Sequence, residues 1–402
     1  MDPSADTSEI GPLRTRARIA SHVVWDHLTR PPAEAIGDVP WCAEAVTLPW
    51  LTAILCKDHP DAEVVAVEVD GGGAGSSVRR RIRVAYNEAG ERAGLPERFF
   101  AKATPTLLTR LSSAMAASKE ARFFTQVRPE LPIEAPIHHY SAFDRNSGRS
   151  FHLFEDLVAT SQAVFCDNRT PISRAQAEDI VDLLAGVHSR FHGSPRLAAD
   201  LRWLPPFEAF LRTGERDGIR IGHDQAMRVA EPVIPTDVTA RKDEIWPMAM
   251  VGLAVHDEEP RTLLHSDVHL GNWYVTGAGR MGLCDWALVC SGHWSRDFAY
   301  AMSTTLEIAD RRAWESDLLE RYLERMQEFA GVRIDRHIAW TRYRQQTFAA
   351  LLMWTPTLRH PPTMPDMQPE PMSLEMIRRI TAAISDLESF DSQPGASGGV
   401  AR

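Results

Sequence analysis

The chain has 402 residues, of which 44% are hydrophobic, so it is long enough for two or three compact lobes with a large buried core. Its 44 basic and 54 acidic side chains give a net charge of −10, which argues against a general nucleic-acid-binding protein, because such proteins present a basic face. No apolar run approaches the ~20 residues that a membrane-spanning helix needs, and no secretory signal is expected. The five cysteines are scattered without a Cys-x₂-Cys pair, which predicts free thiols in a cytoplasmic protein.

Two helices are predicted ahead of a sheet. Residues 1–13 are polar and acidic and predict a disordered tail. Apolar positions repeat at helical spacing over residues 14–28, and Pro31 ends this pattern. Thr47 is typical of a helix cap, and Pro49 suits the first turn of the helix that follows. We expect both helices to pack beside the first lobe.

A strand, a glycine-rich turn and a second strand come next. Apolar side chains alternate over residues 63–70 and again over residues 78–86. A turn of this kind can cover nucleotide phosphates with its backbone N–H groups, although a flexible hairpin tip has the same composition. The order of small residues is a near match to Gly-x-Gly-x-x-Gly. The candidate phosphate-binding residues in this turn are Gly71, Gly73, Ser76 and Ser77.

Residues 98–103 predict a short apolar strand that carries one cation, Lys102. An ammonium flanked by apolar residues is expected to point into a site, because burying it unpaired is costly. A lysine at a sheet edge that reaches back to solvent is the alternative. Residues 107–131 then predict a long helix, on which Glu120 is the candidate partner of Lys102. Glu130 is the second candidate, but the prolines beside it place it at the helix end.

Further strands are predicted at residues 135–137 and 150–154, after which the pattern becomes helical. This change predicts an N-terminal lobe of residues 14–155 and a helical C-terminal lobe of residues 156–390. A disordered tail is expected at residues 391–402, because that segment is rich in Ser and Gly.

The C-terminal lobe is predicted to be a series of amphipathic helices. Ser173 is typical of a cap for the first of them. His188 lies on its apolar face, which is more typical of a core histidine than of a ligand. Later helices are predicted at residues 241–255, 291–306, 309–329, 335–354 and 373–387.

Residues 263–286 carry three polar side chains in an informative order, namely Asp267, Asn272 and Asp285. Two short strands around a glycine-containing turn predict a hairpin with Asn272 and Asp285 at its open end. In kinase-type phosphoryl transfer, one Asp takes the proton of the acceptor, while an Asn and a second Asp hold Mg²⁺. A surface hairpin with solvated acids is the alternative, but the ordered set is far more specific than one Asp alone.

The sequence His-Ser-Asp-Val-His-Leu-Gly-Asn at residues 265–272, followed by Cys-Asp-Trp at 284–286, resembles the signature of the aminoglycoside phosphotransferase and choline kinase superfamily. Within that superfamily the chain is most similar to the ecdysteroid-kinase-like branch and its bacterial relatives, and the resemblance covers roughly residues 60–300. Ser266 stands where the family usually has Gly. Trp286 stands where protein kinases carry the Phe of Asp-Phe-Gly, which argues against a protein kinase.

The resemblance implies an α+β, protein-kinase-like fold with two lobes, one a small antiparallel sheet with a long helix and the other mostly helical. It implies ATP and Mg²⁺ as cofactors and a small-molecule hydroxyl as the acceptor. Asp267 would be the catalytic residue, Asn272 and Asp285 the metal ligands, and Lys102, held by Glu120, would bind the α- and β-phosphates.

Three further roles follow from the same resemblance. Residues 154–157 resemble the connection between the lobes, where the Glu155 carbonyl and the Leu157 amide would contact the adenine edge. His265 is expected to hold the catalytic loop in shape. Asp297 is expected to support that loop from the start of a helix, without a part in the chemistry.

The leading hypothesis is therefore an ATP-dependent kinase of a small-molecule alcohol, for example a bulky natural product, a sterol-like alcohol or an antibiotic. A kinase of a hydroxyacyl thioester is the second enzyme hypothesis, but no broad Lys/Arg patch for the coenzyme phosphates is evident. A nucleotide-binding pseudokinase or scaffold is the non-enzyme alternative, and the complete set of catalytic positions argues against it. The sequence predicts neither a nucleic-acid partner nor an oligomeric state.

Overall fold

The computed structural model describes residues 12–72, 77–214, 218–360 and 367–392. The chain divides into unit one, Met1–Pro129 with Pro136–Gln162, and unit two, Glu130–Ala135 with Ala163–Arg402. The sequence placed the boundary between the lobes at residues 155 and 156. The chain passes for the last time from unit one to unit two a few residues later, between Gln162 and Ala163. The expected tails lie outside the described residues except at their inner ends, where Pro12 and Leu13 already belong to a helix.

Unit one is built around one antiparallel sheet of five strands in the order β1-β2-β3-β5-β4. The strands are β1 (Val64–Asp70), β2 (Val78–Tyr86), β3 (Arg98–Ala103), β4 (His138–Phe143) and β5 (Ser150–Glu155). The helices of its described part are α1 (Pro12–Thr29), α2 (Leu48–Leu55), α3 (Glu88–Arg92), α4 (Leu107–Arg122) and α5 (Leu157–Thr160).

The core of unit one forms between the sheet and α2. Thr47 caps α2 as predicted, because its hydroxyl accepts a hydrogen bond from the Trp50 backbone N–H at 3.3 Å. Trp50 is fully buried, and its ring contacts Phe151 of β5 edge to face. Along β2 the side chains of Ile82, Val84 and Tyr86 are buried while the arginines that alternate with them, Arg81 and Arg83, are exposed, so one face of this strand lies on the core.

Two predictions for unit one are wrong in detail. The strand expected at residues 135–137 is instead β4, which begins at His138, because Pro136 cannot donate a ladder hydrogen bond. The helix expected at residues 107–131 is α-helical only to Arg122 and continues as a π-helix over Phe123–Val127. Both phenylalanines of this wider turn are buried in the unit.

A buried ion triad ties α1 to α4. The carboxylate of Asp26 on α1 lies 2.5 Å from the Arg110 guanidinium and also pairs with Arg149 at the start of β5. Arg110 further donates to the Ser147 carbonyl at 3.0 Å, in the turn between β4 and β5. Because Asp26 and Arg110 are fully buried, each needs the other as a partner.

Unit two is mostly helical. Its described helices are α6 (Arg174–Phe191), α7 (Phe207–Gly214), α8 (Ile219–Val229), α9 (Thr236–Ala240), α10 (Lys242–Gly252), α11 (Val255–Glu258), α12 (Ser295–Thr305), α13 (Ile308–Ala330), α14 (Arg336–Leu358) and α15 (Glu370–Asp386). Its strands are β6 (Val164–Phe165), β7 (Thr262–Leu264), β8 (Trp273–Val275), β9 (Met281–Leu283) and β10 (Cys290–Gly292). The α+β class, with a small antiparallel sheet and a mostly helical remainder, is thus confirmed.

The short strands of unit two hold the loop at residues 265–272. Strands β8 and β9 form the predicted hairpin, with Trp273 opposite Leu283. Strand β7 pairs antiparallel with β10, which occupies residues where a helix was predicted to begin. That prediction is wrong because residues 290–292 pair with β7 as a strand, and the helix α12 starts only at Ser295.

The remaining helices follow the sequence pattern. Ser173 caps α6 in a reciprocal pair with Gln176, as the sequence predicted. His188 is fully buried, and its Nδ1 lies 2.8 Å from the Tyr322 hydroxyl, which confirms it as a core histidine. In the part of the chain that the structure describes, no helix is long and apolar enough to cross a bilayer.

Candidate active site

The glycine-rich turn of unit one is described only at its two ends. Gly73 and Ser76 lie outside the described residues, whereas Gly71 and Ser77 lie inside them. A Cβ on Gly72 would lie 1.8 Å from the Arg79 carbonyl oxygen, so the close approach of the two strands requires glycine there. Ser77 is buried, and its hydroxyl has no hydrogen-bond partner among the described residues. A buried hydroxyl without a partner is suited to binding a ligand.

Lys102 and Glu120 form an ion pair inside unit one. Lys102 lies on β3 and Glu120 on α4, and the ammonium lies 2.8 Å from the carboxylate. Both side chains are largely enclosed, at 14% and 4% exposure, so the pair is screened little by solvent. Glu130, the second candidate, instead pairs with Arg196 at 2.7 Å. The contact proposed from the sequence is therefore present between Lys102 and Glu120.

His152 is a neighbour of this pair that the sequence did not indicate. It is the cross-strand partner of Lys102 on β5, and its Nε2 lies 3.7 Å from the Glu120 carboxylate. Its ring nitrogens also contact the hydroxyls of Ser150 and Ser141, at 2.9 and 3.1 Å. His152 lies opposite Lys102 because β3 and β5 pair in this register, and the register of two strands cannot be derived from one sequence.

The predicted adenine-binding backbone lies where β5 ends and α5 begins. Asp156 caps α5 through its carboxylate, which accepts from the Val158 N–H at 3.1 Å. Leu157 is the first residue of α5, so its N–H belongs to the helix end that has no intrahelical acceptor. Glu155 is the last residue of β5. These positions are compatible with the roles predicted for the Glu155 carbonyl and the Leu157 amide, which stay predictions.

In unit two, His265 links the loop at residues 265–272 to the end of β9. Its Nδ1 accepts a hydrogen bond from the Asp267 backbone N–H at 3.2 Å. Its Nε2 is 3.0 Å from the Cys284 carbonyl, so that nitrogen carries the proton and donates. Burial lowers the pKa of His265, although the nearby carboxylates oppose the shift. A neutral imidazole with both nitrogens engaged is suited to holding the loop and not to taking a further proton.

Asp267 is held from two sides. Its Oδ2 accepts from the Asn272 side-chain amide at 3.0 Å, and its Oδ1 accepts from the Tyr300 hydroxyl at 3.2 Å. The His269 ring lies 3.7 Å from Oδ2. The carboxylate remains 24% exposed, so an acceptor molecule can reach it. A carboxylate fixed by neutral donors and open on one side can orient a hydroxyl and take its proton.

Asn272 and Asp285 lie at the same end of the β8–β9 hairpin. The Cys284 N–H donates to the Asn272 backbone carbonyl at 2.9 Å, which fixes the register just before Asp285. The Asn272 side-chain nitrogen donates both to the Asp267 carboxylate and to the Asp267 backbone carbonyl, at 3.0 and 2.7 Å. The amide is thereby oriented, and its Oδ1 has no donor among the described residues.

These two side chains fit a magnesium site. Mg²⁺ is typically bound by one or two carboxylates together with substrate phosphates and water, and not by a closed cage of protein ligands. Asp285 supplies one carboxylate, and the oriented amide oxygen of Asn272 supplies a neutral ligand. Asp285 has a left-handed backbone with φ of 60°, a strained conformation of the kind that clusters at functional sites. No cluster of three His, Cys, Asp or Glu side chains suited to a metal occurs within the described ranges.

Asp297 supports the loop at residues 265–272 from α12. It is fully buried, and its carboxylate accepts from the backbone N–H groups of His265 and Ser266, at 2.7 and 3.0 Å. Burial alone would raise the pKa of Asp297, but hydrogen bonding to His188 and the charge of Arg296 lower it overall. The backbone contacts expected from the resemblance are therefore present.

Tyr300 and Arg296 are further neighbours of Asp267 that sequence reasoning missed. Both are buried on α12, on either side of Asp297 in the sequence. Tyr300 follows Asp297 by three residues, so the two side chains share a helix face. Once Asp297 was expected to contact the loop, this spacing could have predicted that Tyr300 lies near the loop as well.

Comparison with known proteins identifies the family. The family model described as "Phosphotransferase enzyme family" matches residues 87–340, which is more than half of the chain. No curated protein sequence matches at a significant level.

The chain also matches solved structures, of which three follow. A structure from Ralstonia eutropha, assigned as an aminoglycoside phosphotransferase, is 14% identical with a TM-score of 0.49 and covers 84% of this chain and 96% of its own. The choline kinase LicA of Streptococcus pneumoniae is 14% identical with a TM-score of 0.41, covering 84% and 98%. The macrolide 2'-phosphotransferase MphH of Brachybacterium faecium is 14% identical with a TM-score of 0.44, covering 77% and 92%.

Proposed function

The chain belongs to the phosphotransferase enzyme family, and on that premise we propose that it transfers the γ-phosphoryl group of Mg-ATP to a hydroxyl of a small molecule. The observation that carries the proposal is the loop in unit two. There Asp267 contacts Asn272 directly, and the hairpin that follows brings Asp285 to the same end as Asn272. This is the arrangement that phosphoryl transfer requires of a proton acceptor and two metal ligands.

In the proposed mechanism Asp267 orients the acceptor hydroxyl and takes its proton as the hydroxyl oxygen bonds to the γ-phosphorus. The bond from the γ-phosphorus to the bridging oxygen breaks at the same time, and ADP leaves. Asn272 and Asp285 would hold Mg²⁺, which neutralises the charge that develops on the phosphate oxygens. His265 and Asp297 keep the loop in shape through its backbone.

Unit one would bind the nucleotide. Lys102, oriented by Glu120, would hold the α- and β-phosphates. The adenine edge would be read by the Glu155 carbonyl and the Leu157 amide. The glycine-rich turn would cover the phosphates, with candidate residues Gly71, Gly73, Ser76 and Ser77.

The charges of the late helices favour an acceptor that is not a polycation. The Asp386 carboxylate on α15 lies 2.7 Å from Arg312 and also pairs with Arg311. Glu375 on the same helix pairs with Arg378 and Arg379, at 2.7 and 2.6 Å. Acids already neutralised by arginine offer little attraction to a polyamine, so neutral alcohols are the first acceptors to screen.

The test is a screen of alcohols with Mg-ATP, with phosphorylated products detected by mass spectrometry. Asp267→Asn keeps the size of the side chain and loses its capacity to take a proton. We expect it to lower turnover about 10²- to 10⁴-fold, the usual contribution of a general base. Asp317→Asn, at a 70% exposed carboxylate on α13, is the matched control and should keep full turnover. Wild-type turnover by Asp267→Asn would refute the assignment.

A further inference from the structure

Tyr300 contacts the same carboxylate that the proposed reaction uses. Its hydroxyl donates to Oδ1 of Asp267 at 3.2 Å, while Oδ2 is held by Asn272 at 3.0 Å. The ring of Tyr300 is almost fully enclosed at 1% exposure, so the hydroxyl cannot turn to bulk water instead. The two bonds together leave the carboxylate little freedom to rotate.

The hydroxyl of Tyr300 stays protonated and can therefore donate a hydrogen bond to Asp267. Burial, reinforced by the charge of Asp267, raises the pKa of Tyr300 well above its ordinary value. The phenol therefore stays protonated in any ordinary buffer, and a protonated phenol beside a carboxylate donates to it.

Arg296 supports Tyr300 from one helical turn away. Its guanidinium lies over the Tyr300 ring at 4.4 Å and over the Phe207 ring at 4.7 Å, so it is enclosed between two aromatic faces. One of its nitrogens donates to the Ser266 carbonyl at 3.4 Å, next to Asp267 in the sequence. Its Nε and Nη1 have no hydrogen-bond partner among the described residues.

A fully buried arginine with two unsatisfied nitrogens is costly, so packing alone does not account for it. A direct anion-binding role does not fit either, because the side chain has no exposure to solvent. What the arginine does contact is the Tyr300 ring and the backbone that carries Asp267. Both contacts restrain the position of the catalytic carboxylate.

We propose that Tyr300 is a positioning residue for phosphoryl transfer, which fixes the Asp267 carboxylate toward the acceptor oxygen and is itself held in place by Arg296. This inference rests on the proposed function. The role concerns the geometry of the reacting carboxylate, so removal of the hydroxyl should lower kcat and leave nucleotide binding unchanged.

The test uses the full-length protein and Mg-ATP alone, with water as the acceptor. Phosphate release gives kcat and the KM for ATP, and a thermal shift with Mg-ATP reports nucleotide binding. We expect Tyr300→Phe to lower kcat about 10- to 100-fold, as removal of an orienting partner commonly does, with the KM for ATP within about twofold of wild type. Arg296→Lys keeps the charge but loses the planar stacking, so a fall in kcat is expected there as well.

Tyr343→Phe is the matched control. Tyr343 is also fully buried in unit two, and its hydroxyl also donates to a carboxylate, that of Glu315 at 2.6 Å. Its kcat should equal that of wild type. Equal kcat values for Tyr300→Phe and Tyr343→Phe, while Asp267→Asn is impaired, would overturn the positioning role and leave the proposed function standing. A wild-type protein that neither binds nor hydrolyses Mg-ATP would overturn both.

Discussion

The candidate site carboxylates of unit one and of unit two are held in different ways. In unit one, Glu120 pairs with the cation of Lys102, which comes from another element. In unit two, Asp297 is fixed by two backbone N–H groups, and Asp267 by the neutral side chains of Asn272 and Tyr300. Lys102 and Glu120 can both be replaced by apolar residues, which leaves neither charge unpaired. Replacing Asp297 or Asp267 instead leaves backbone or side-chain donors without an acceptor.

Asp297→Ala should have the largest effect on stability. It leaves the N–H groups of His265 and Ser266 buried without their acceptor, so we expect the free energy of unfolding to fall by about 3–5 kcal/mol. Urea unfolding followed by tryptophan fluorescence measures this. Asp317→Ala, at an exposed carboxylate, should change the free energy by less than about 0.5 kcal/mol. Similar effects of the two variants would contradict the structural role of the two backbone contacts to Asp297.

Lys102→Met tests the unit-one pair. Glu120 would be left buried without its cation, so the free energy of unfolding should fall by about 2–4 kcal/mol, and turnover with Mg-ATP by at least about 100-fold. The double variant Lys102→Met with Glu120→Leu should recover most of the stability and none of the turnover. If the double variant is as unstable as Lys102→Met, the loss of stability does not come from an unpaired Glu120 carboxylate.

Acid tests the buried histidine His223 of unit two. His223 contacts Thr355 on α14 at 3.1 Å, and burial lowers its pKa to about 4. The folded state therefore binds no proton at His223 between about pH 6.5 and pH 4, whereas the unfolded state does. The contribution of His223 to stability, which is complete above about pH 6.5, should be lost as the pH falls, by about 2 kcal/mol at pH 5. Burial also lowers the pKa of His138 to about 4 and that of His256 to about 3, so these histidines add to the acid dependence. In urea unfolding at pH 7 and pH 5, His223→Asn should reduce the loss of stability by about 2 kcal/mol, and His337→Asn, at an exposed site, should not.

Ser266→Gly should have the smallest effect. Ser266 has a φ of 69°, a left-handed conformation that costs an ordinary residue about 1–2 kcal/mol. Glycine relieves that strain but gains more freedom in the unfolded chain, so the net change should be a stabilisation of less than about 1 kcal/mol. Turnover should stay within about twofold of wild type, because the backbone bonds to Asp297 and Arg296 do not use the side chain. A large loss of turnover would mean that the Ser266 hydroxyl itself has a role.

The sequence predicted the elements whose pattern is local. The alternation of β2, the apolar repeat of α13 and the caps at Thr47 and Ser173 each depend on a few neighbouring residues, and all four are present. The order of Asp267, Asn272 and Asp285 is also local, which is why the hairpin that carries the last two could be predicted before any contact was known.

Features that depend on distant residues were missed. The strand β10 exists because its residues pair with β7, more than twenty positions earlier in the chain. The spacing of apolar residues in the sequence does not indicate that pairing. His152 and Tyr300 are ordinary members of a strand and a helix until the register of β5 and the packing of α12 bring them to Lys102 and Asp267. Contacts between residues that are distant in the sequence could not be predicted from the sequence pattern alone.

The segment Glu130–Ala135 belongs to unit two although it is flanked on both sides by unit one. The Glu134 carbonyl accepts from the Leu283 N–H at 3.1 Å, and its side chain accepts from the Tyr274 hydroxyl at 2.8 Å. The backbone therefore passes between the units three times, at 129/130, 135/136 and 162/163. A truncated protein that starts at Ala163 would lack the segment bound along β9. Expressing the β8–β9 hairpin apart from the five-stranded sheet would require supplying that hexapeptide as a graft.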